Sequence, residues 1–117
     1  MKFYDDIYIG RDNYLTRRIE RADSGATINI RDLTRVTLEV LGMNPSVIID
    51  SDEAGMDDVF DWETYGEMGL LGFRLGLVET LPTGFKVCKL ILYSDSYPNG
   101  LDNLKPVYFN FVPLSNG

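Results

Sequence analysis

The run Asp50-Ser51-Asp52-Glu53-Ala54-Gly55-Met56-Asp57-Asp58-Val59-Phe60-Asp61 is the stretch whose residue types and spacing come nearest to a chemical site. Asp50, Asp52, Gly55, Asp58 and Asp61 fall at the first, third, sixth, ninth and twelfth places of an EF-hand-like calcium loop. Ala54 interrupts the fifth place, Asp61 stands where a bidentate Glu is needed, and no flanking helices are expected, so a solvated acidic loop is the better reading. Carboxylate pairs for glycoside hydrolysis could be drawn from Glu63, Glu67 or Glu79, yet a chain this acidic offers many such pairs and singles out none. The chain has no histidine, which removes the commonest general base and the commonest transition-metal ligand together. The lone cysteine, Cys88, cannot form an intrachain disulfide and has no histidine to activate it. Phosphate-loop, dinucleotide, nucleophile-elbow and zinc spacings are absent. The expectation is a protein that is not an enzyme and uses neither metal nor cofactor.

Binding chemistry is better represented. Seven tyrosines, six phenylalanines and Trp62 exceed what one small core needs, and Tyr and Trp are favoured both at protein interfaces and as sugar platforms. Tyr65, Tyr93, Tyr97 and Tyr108 are candidates for exposure; Trp62 either caps the core or anchors a partner. Charge is segregated: residues 1 to 35 carry net +1 with six arginines, residues 36 to 79 carry ten acids against Arg74 alone, and residues 80 to 117 return to +1. Such polarity could let the basic end of one copy meet the acidic loop of another. The residues expected to contact partners are Tyr4, Tyr8, Trp62, Tyr65 and Tyr97 as apolar anchors. Arg17 and Arg18, with Asp57 and Asp58, are the charge complements.

These side chains need a scaffold, and the pattern for one is β. At 117 residues and 44% hydrophobic content the chain is expected to form one domain over 1 to 117 with a real core. A net charge of -7 argues against nucleic acid. No apolar run approaches membrane-spanning length and the N-terminus is not a signal peptide, so a soluble protein made in a reducing compartment is expected.

The most strand-like run is Thr80 to Tyr93. A Leu81-Pro82-Thr83-Gly84 turn leads into a strand with Cys88, Leu90 and Leu92 on one face and Phe85, Val87, Ile91 and Tyr93 on the other. Apolar on both faces, it is expected to lie centrally, with a core on one side and a neighbour on the other. Arg35 to Leu41 alternates with Val36, Leu38 and Val40 inward. Asn13 to Glu20 reads as an edge strand because Arg17 shares a face with Leu15. Further strands are expected at Asp6 to Ile9, Thr27 to Ile30, Val47 to Ile49, Leu71 to Leu75 and Val107 to Val112, with local pairing at Trp62 to Tyr65. Gly69, Gly72 and Gly76 mark places where a bulge or another part of the chain comes close. About eight strands at such spacing make an all-β sandwich or barrel.

The order of turn signals is also familiar. Gly10-Arg11-Asp12-Asn13, Ala22-Asp23-Ser24-Gly25, Ile30-Arg31-Asp32-Leu33-Thr34 and Leu81-Pro82-Thr83-Gly84-Phe85, then a long strand and Asp95, run across nearly the whole chain. This resembles the immunoglobulin-like modules of tailed-phage virion proteins, especially the N-terminal domain of baseplate upper proteins. The resemblance implies an immunoglobulin-like antiparallel β-sandwich of about seven to nine strands, with no catalytic residues to carry over. It further implies a virion location after synthesis in the host cytoplasm. Because the chain stops after the sandwich, the expected role is capsid decoration or a tail accessory that contacts major capsid or tail proteins, with a homo-oligomer possible and no nucleic-acid or membrane partner. The alternative is a carbohydrate-binding sandwich, which needs two or three coplanar aromatics on one exposed face.

Overall fold

Two long alternating strands set the architecture. In the computed structural model, which describes residues 4 to 78 and 80 to 113, β3 (Leu33–Val40) and β7 (Gly84–Ser94) pair antiparallel. Val36 lies opposite Leu92, Leu38 opposite Leu90 and Val40 opposite Cys88. All six side chains are buried. Around this pair the first sheet runs β1-β8-β7-β3-β4, with β1 (Asp5–Tyr8), β4 (Val47–Asp50) and β8 (Val107–Val112). The second sheet is smaller, β2-β6-β5, from β2 (Leu15–Arg18), β5 (Phe60–Asp61) and β6 (Leu70–Phe73). The chain is thus all-β, eight strands among the described residues, in two layers. Among the described residues β1–β8 is parallel and the other strand pairs are antiparallel.

The layers meet through aromatic rings. Phe73 of β6 stands edge-on to Phe109 of β8 at 5.2 Å, with Phe60 behind it at 5.9 Å and Phe111 beside Phe109 at 5.9 Å. An edge-to-face pair adds about 0.5–1.5 kcal/mol beyond the area it buries, so this stack ties the sheets at their centre. Arg17 of β2 and Asp5 of β1, both on edge strands, form an ion pair at 3.1 Å that joins the layers at one open side. The edge position read from Arg17 is therefore correct. At β4, Ser51 is buried, its N–H donates to the Val36 carbonyl and its hydroxyl accepts from the Val36 N–H. One serine thus prolongs the ladder past the last strand residue.

Three expectations change. Residues 27 to 30 form no strand: Thr27 makes a single bridge to Glu20, and the Ile28 and Ile30 N–H groups donate to Ile19 and Gly66. Pairing around Trp62 falls two residues earlier, at Phe60–Asp61. Among the described residues the apolar outer face of β7 carries no second sheet, because the other sheet packs against the Cys88–Leu90–Leu92 side. Phe85 is 68% exposed.

Candidate functional site

The polar and aromatic side chains that stand free of the core lie on the outer faces of the two sheets. On the large sheet, alternation from buried Ile7, Cys88 and Phe109 turns Phe85, Val87, Tyr108 and Asn110 outward. Tyr4 closes on this group, its ring 5.1 Å from Phe85 and 5.5 Å from Tyr108 at 76° and 73°. Asn110 donates to Asp6 at 3.0 Å beside it. The other half of the face is locked by charge. Arg35 forks onto Asp50 of β4 at 2.9 and 2.5 Å and lies 4.7 Å from the ring centroid of Tyr93 on β7. That fork holds the Asp50 carboxyl below its ordinary range, assisted by the Asp52 N–H against the opposing pull of burial, and raises the Arg35 guanidinium further.

The small sheet carries a different arrangement. Tyr14 lays its ring across Gly72 of β6, so close that a Cβ there would stand 2.4 Å from the Tyr14 hydroxyl oxygen. The hydroxyl donates to Asp61 Oδ2 at 3.0 Å, and the Arg74 guanidinium lies 4.6 Å from the ring centroid. Burial raises the Asp61 carboxyl, but hydrogen bonds from Thr64, Tyr14 and the Glu63 N–H outweigh it and hold the group below the usual range. Tyr14 is raised, first by burial and then by its bond to Asp61. On one side of this bridge, Tyr14, Thr16, Tyr65, Met68 and Leu70 line an open groove of about 330 Å³. On the other, Asp57, Asp58, Asp61 and Glu63 surround a hollow of about 260 Å³ with Trp62 and Arg74.

The structure therefore gathers Asp57, Asp58 and Trp62 at one hollow, with Tyr65 across the Tyr14 bridge; Trp62 is half-buried and packs against the core. Arg18 lies on the opposite edge strand of the same sheet, exposed beside Leu70. Arg17 is instead engaged internally with Asp5. Tyr8 ends β1 of the large sheet and Tyr4 immediately precedes that strand, its ring on the outer side. Tyr97 stands apart at a small cleft over Ile28, Leu33, Leu92 and Leu101, its hydroxyl accepting from Arg21 at 3.3 Å. Of the candidate tyrosines, Tyr65 and Tyr97 are exposed while Tyr93 and Tyr108 are half-buried.

Sequence reasoning missed Tyr14, Met68, Arg74 and the exposure of Phe85. The glycines held the signal. Gly72 sits under Tyr14, while a Cβ at Gly69 or Gly76 would strike the backbone of Ile28 or of Arg11 and Tyr8.

The acidic loop does not converge on a point. Asp50 is drawn to Arg35 on the large sheet and Asp61 to Tyr14 on the small one, and among the described residues no three Asp, Glu or Cys side chains are grouped as metal ligands. Glu63 lines the hollow, Glu67 pairs with Arg31, and Glu79 lies outside the described residues. Cys88 is fully buried, which pushes its thiol up to about 12. Among the described residues no helix is long and apolar enough to cross a membrane. Comparison with protein-family models, with curated proteins and with solved structures finds no match.

Proposed function

We propose that this chain is a non-enzymatic structural module of a tailed-phage virion, a capsid decoration or tail accessory acting through protein–protein contacts. The observation that carries the reading is the uncovered outer face of the five-stranded sheet, where Tyr4, Phe85 and Tyr108 form a nested aromatic group with Phe85 largely in water. Large rigid rings on a strand-built platform are what interface centres use, since they bury much area at little cost in conformational entropy. The turn sequence running from Gly10 to Phe85, similar to that of phage immunoglobulin-like modules, supplies the virion context. The sugar-binding alternative is less well supported: Tyr4 stands steeply to both its neighbours, whereas stacking on a pyranose needs coplanar rings.

The test mixes purified protein with empty expanded heads, and separately with tails, of the virion whose genome encodes it, followed by co-sedimentation. Saturable binding to one of them is expected, weakened by Phe85→Ser and retained in moderate salt, because an apolar anchor is not screened. Failure to bind either particle refutes the reading.

A further inference from the structure

Sheet edges, unlike sheet faces, state what they can bind, and the edges of this molecule are not alike. On β1, Asp5 reaches across to Arg17 of β2, so those two edges are tied to each other by charge. Arg18 adds a further charge to β2, and β5 is only two residues long. Charge and shortness are how sheets discourage pairing with other chains. The β4 edge lacks such a guard. From Val40 to Ile49 the chain carries no charged side chain, and Ile48, on the outer side of β4, is 53% exposed. The small sheet is anchored toward the opposite end of the large one, where Phe73 meets Phe109 of β8 and Arg17 meets Asp5 of β1.

The register fixes which backbone groups the β4 edge presents. The Ser51 N–H donates to the Val36 carbonyl, so by antiparallel alternation Ile49 bonds with Leu38 and Val47 with Val40. The N–H and C=O of Ile48 and the N–H of Asp50 therefore point away from β3. Among the described residues no strand pairs with β4 on that side and no other group bonds to these three. A row of unpaired strand groups is complementary to another extended strand.

We propose that β4 pairs antiparallel with β4 of a second copy of this chain, across a two-fold axis at Ile48 that joins the two five-stranded sheets edge to edge. The strand is complementary to itself. With Ile48 opposite Ile48, Val47 stands opposite Ile49 and Ser46 opposite Asp50, so apolar residues meet apolar ones and no two charges are opposed. The two Ile48 residues exchange N–H···O=C bonds, and each Asp50 N–H donates to the other copy's Ser46 carbonyl. The antiparallel sense also keeps the acidic loops apart. The two Asp50 residues stand about 14 Å from each other, beyond the Debye length of about 8–10 Å, whereas parallel pairing would set them side by side.

Area sets the strength. The edge from Ser46 to Asp50 is about 17 Å long and about 10 Å deep, on the order of 200 Å², against about 800 Å² per partner in a standard interface. The dimer is accordingly expected to be weak, with a dissociation constant on the order of 100 µM. It does not rest on the virion reading, and it leaves the Tyr4–Phe85–Tyr108 face of each copy uncovered.

The experiment is sedimentation velocity of the full chain from about 5 to 1000 µM, a range set to bracket that weak constant, with each variant's fold checked by circular dichroism. Wild type should shift from monomer to dimer with concentration. Added salt should favour the dimer, because two copies of net charge -7 repel while the ladder itself is not screened. Ile48→Pro keeps the monomer, since an edge strand tolerates proline where its N–H faces water, and removes the central bonds. Ile48→Lys keeps it too, with Glu39 directly opposite on β3, and sets two ammonium groups against each other in the dimer. Each should weaken association by about 10- to 100-fold, whereas Ile48→Val should leave it unchanged. Position is read by cross-linking: opposed Cα atoms about 5.5 Å apart lie within disulfide range. Under glutathione disulfide Ile48→Cys should therefore form a covalent dimer at least about 10-fold faster than Met68→Cys, which is comparably exposed on the other sheet. Cys88 is fully buried and does not compete. A monomer throughout, a dimer indifferent to Ile48→Lys and Ile48→Pro, or equal cross-linking at both positions overturns the pairing. A monomer that co-sediments with particles only while Ile48 is intact would give the edge to a partner's strand, overturning self-pairing and leaving the virion reading intact. A dimer that binds no particle does the reverse.

Discussion

Gly72→Ala tests whether the Tyr14 bridge exists as described. Gly72 does not occupy the left-handed region, so on backbone grounds alanine should stabilise strand β6 by about 0.4–1 kcal/mol through the unfolded chain. The added Cβ would instead meet the Tyr14 ring at 2.4 to 2.7 Å and must displace it. Displacement loses a hydrogen bond to a carboxylate that is only partly shielded, about 1 kcal/mol, and the Arg74–ring contact, about 0.5–1 kcal/mol at an exposed site. The losses exceed the gain, and the sign reverses: Gly72→Ala is expected to destabilise by about 1 kcal/mol. In a Tyr14→Ala background nothing opposes the Cβ, and the same substitution should stabilise by about 0.4–1 kcal/mol. The coupling between the two positions is therefore about 1.5–2 kcal/mol, readable as a double-mutant cycle in urea with Trp62 fluorescence as the probe. Stabilisation by Gly72→Ala in both backgrounds, with no coupling, would show that the ring does not lie on Gly72.

Three further outcomes follow from burial and charge. Phe109→Ala should cost about 3–5 kcal/mol, because it empties the centre of the inter-sheet stack, whereas Phe85→Ala should stay within about 1 kcal/mol; equal effects in a urea titration would mean the faces of β7 and β8 are misassigned. Asp50 is held low by Arg35, so its contribution is complete above the unfolded value near 3.9 and fades as pH falls through the lower folded one. Asp50→Asn should accordingly lower stability at pH 7 and flatten its decline between pH 5 and pH 2, and curves that stay parallel to wild type would count against the fork. With its thiol near 12, Cys88 should react with a disulfide reagent at pH 8 at least about 100-fold more slowly in native protein than in guanidinium; fast native labelling would contradict its burial.

How far the sequence carries can be judged strand by strand. Strict alternation in Val36–Val40 and Cys88–Leu92 is a local signal: it located both strands and the inward face of the first, while their pairing and the inward face of the second came from the tertiary structure. Arg17 beside Leu15 marked an edge, because a charge facing inward survives only where it can reach a partner, here Asp5. Residues 27 to 30 were misread because β-branched residues and alternation are equally compatible with an extended connector whose N–H groups are satisfied by loop carbonyls. On the small-sheet face, residue type alone was enough to name Asp57, Asp58 and Tyr65 as candidates. Tyr14 was not, since its meaning lies in Asp61, 47 positions away, and in the missing side chain at Gly72.

The sequence by itself determined that the chain is a β protein and where its clearest strands run. Those properties follow from period-two patterning and from which side chains exist at all. Only the tertiary structure decided which apolar strand face is left in water and which charges share an edge. Both depend on how a three-stranded sheet is laid over a five-stranded one, a choice made by distant rings such as Phe73 and Phe109 meeting in the core and not by any local stretch of residues.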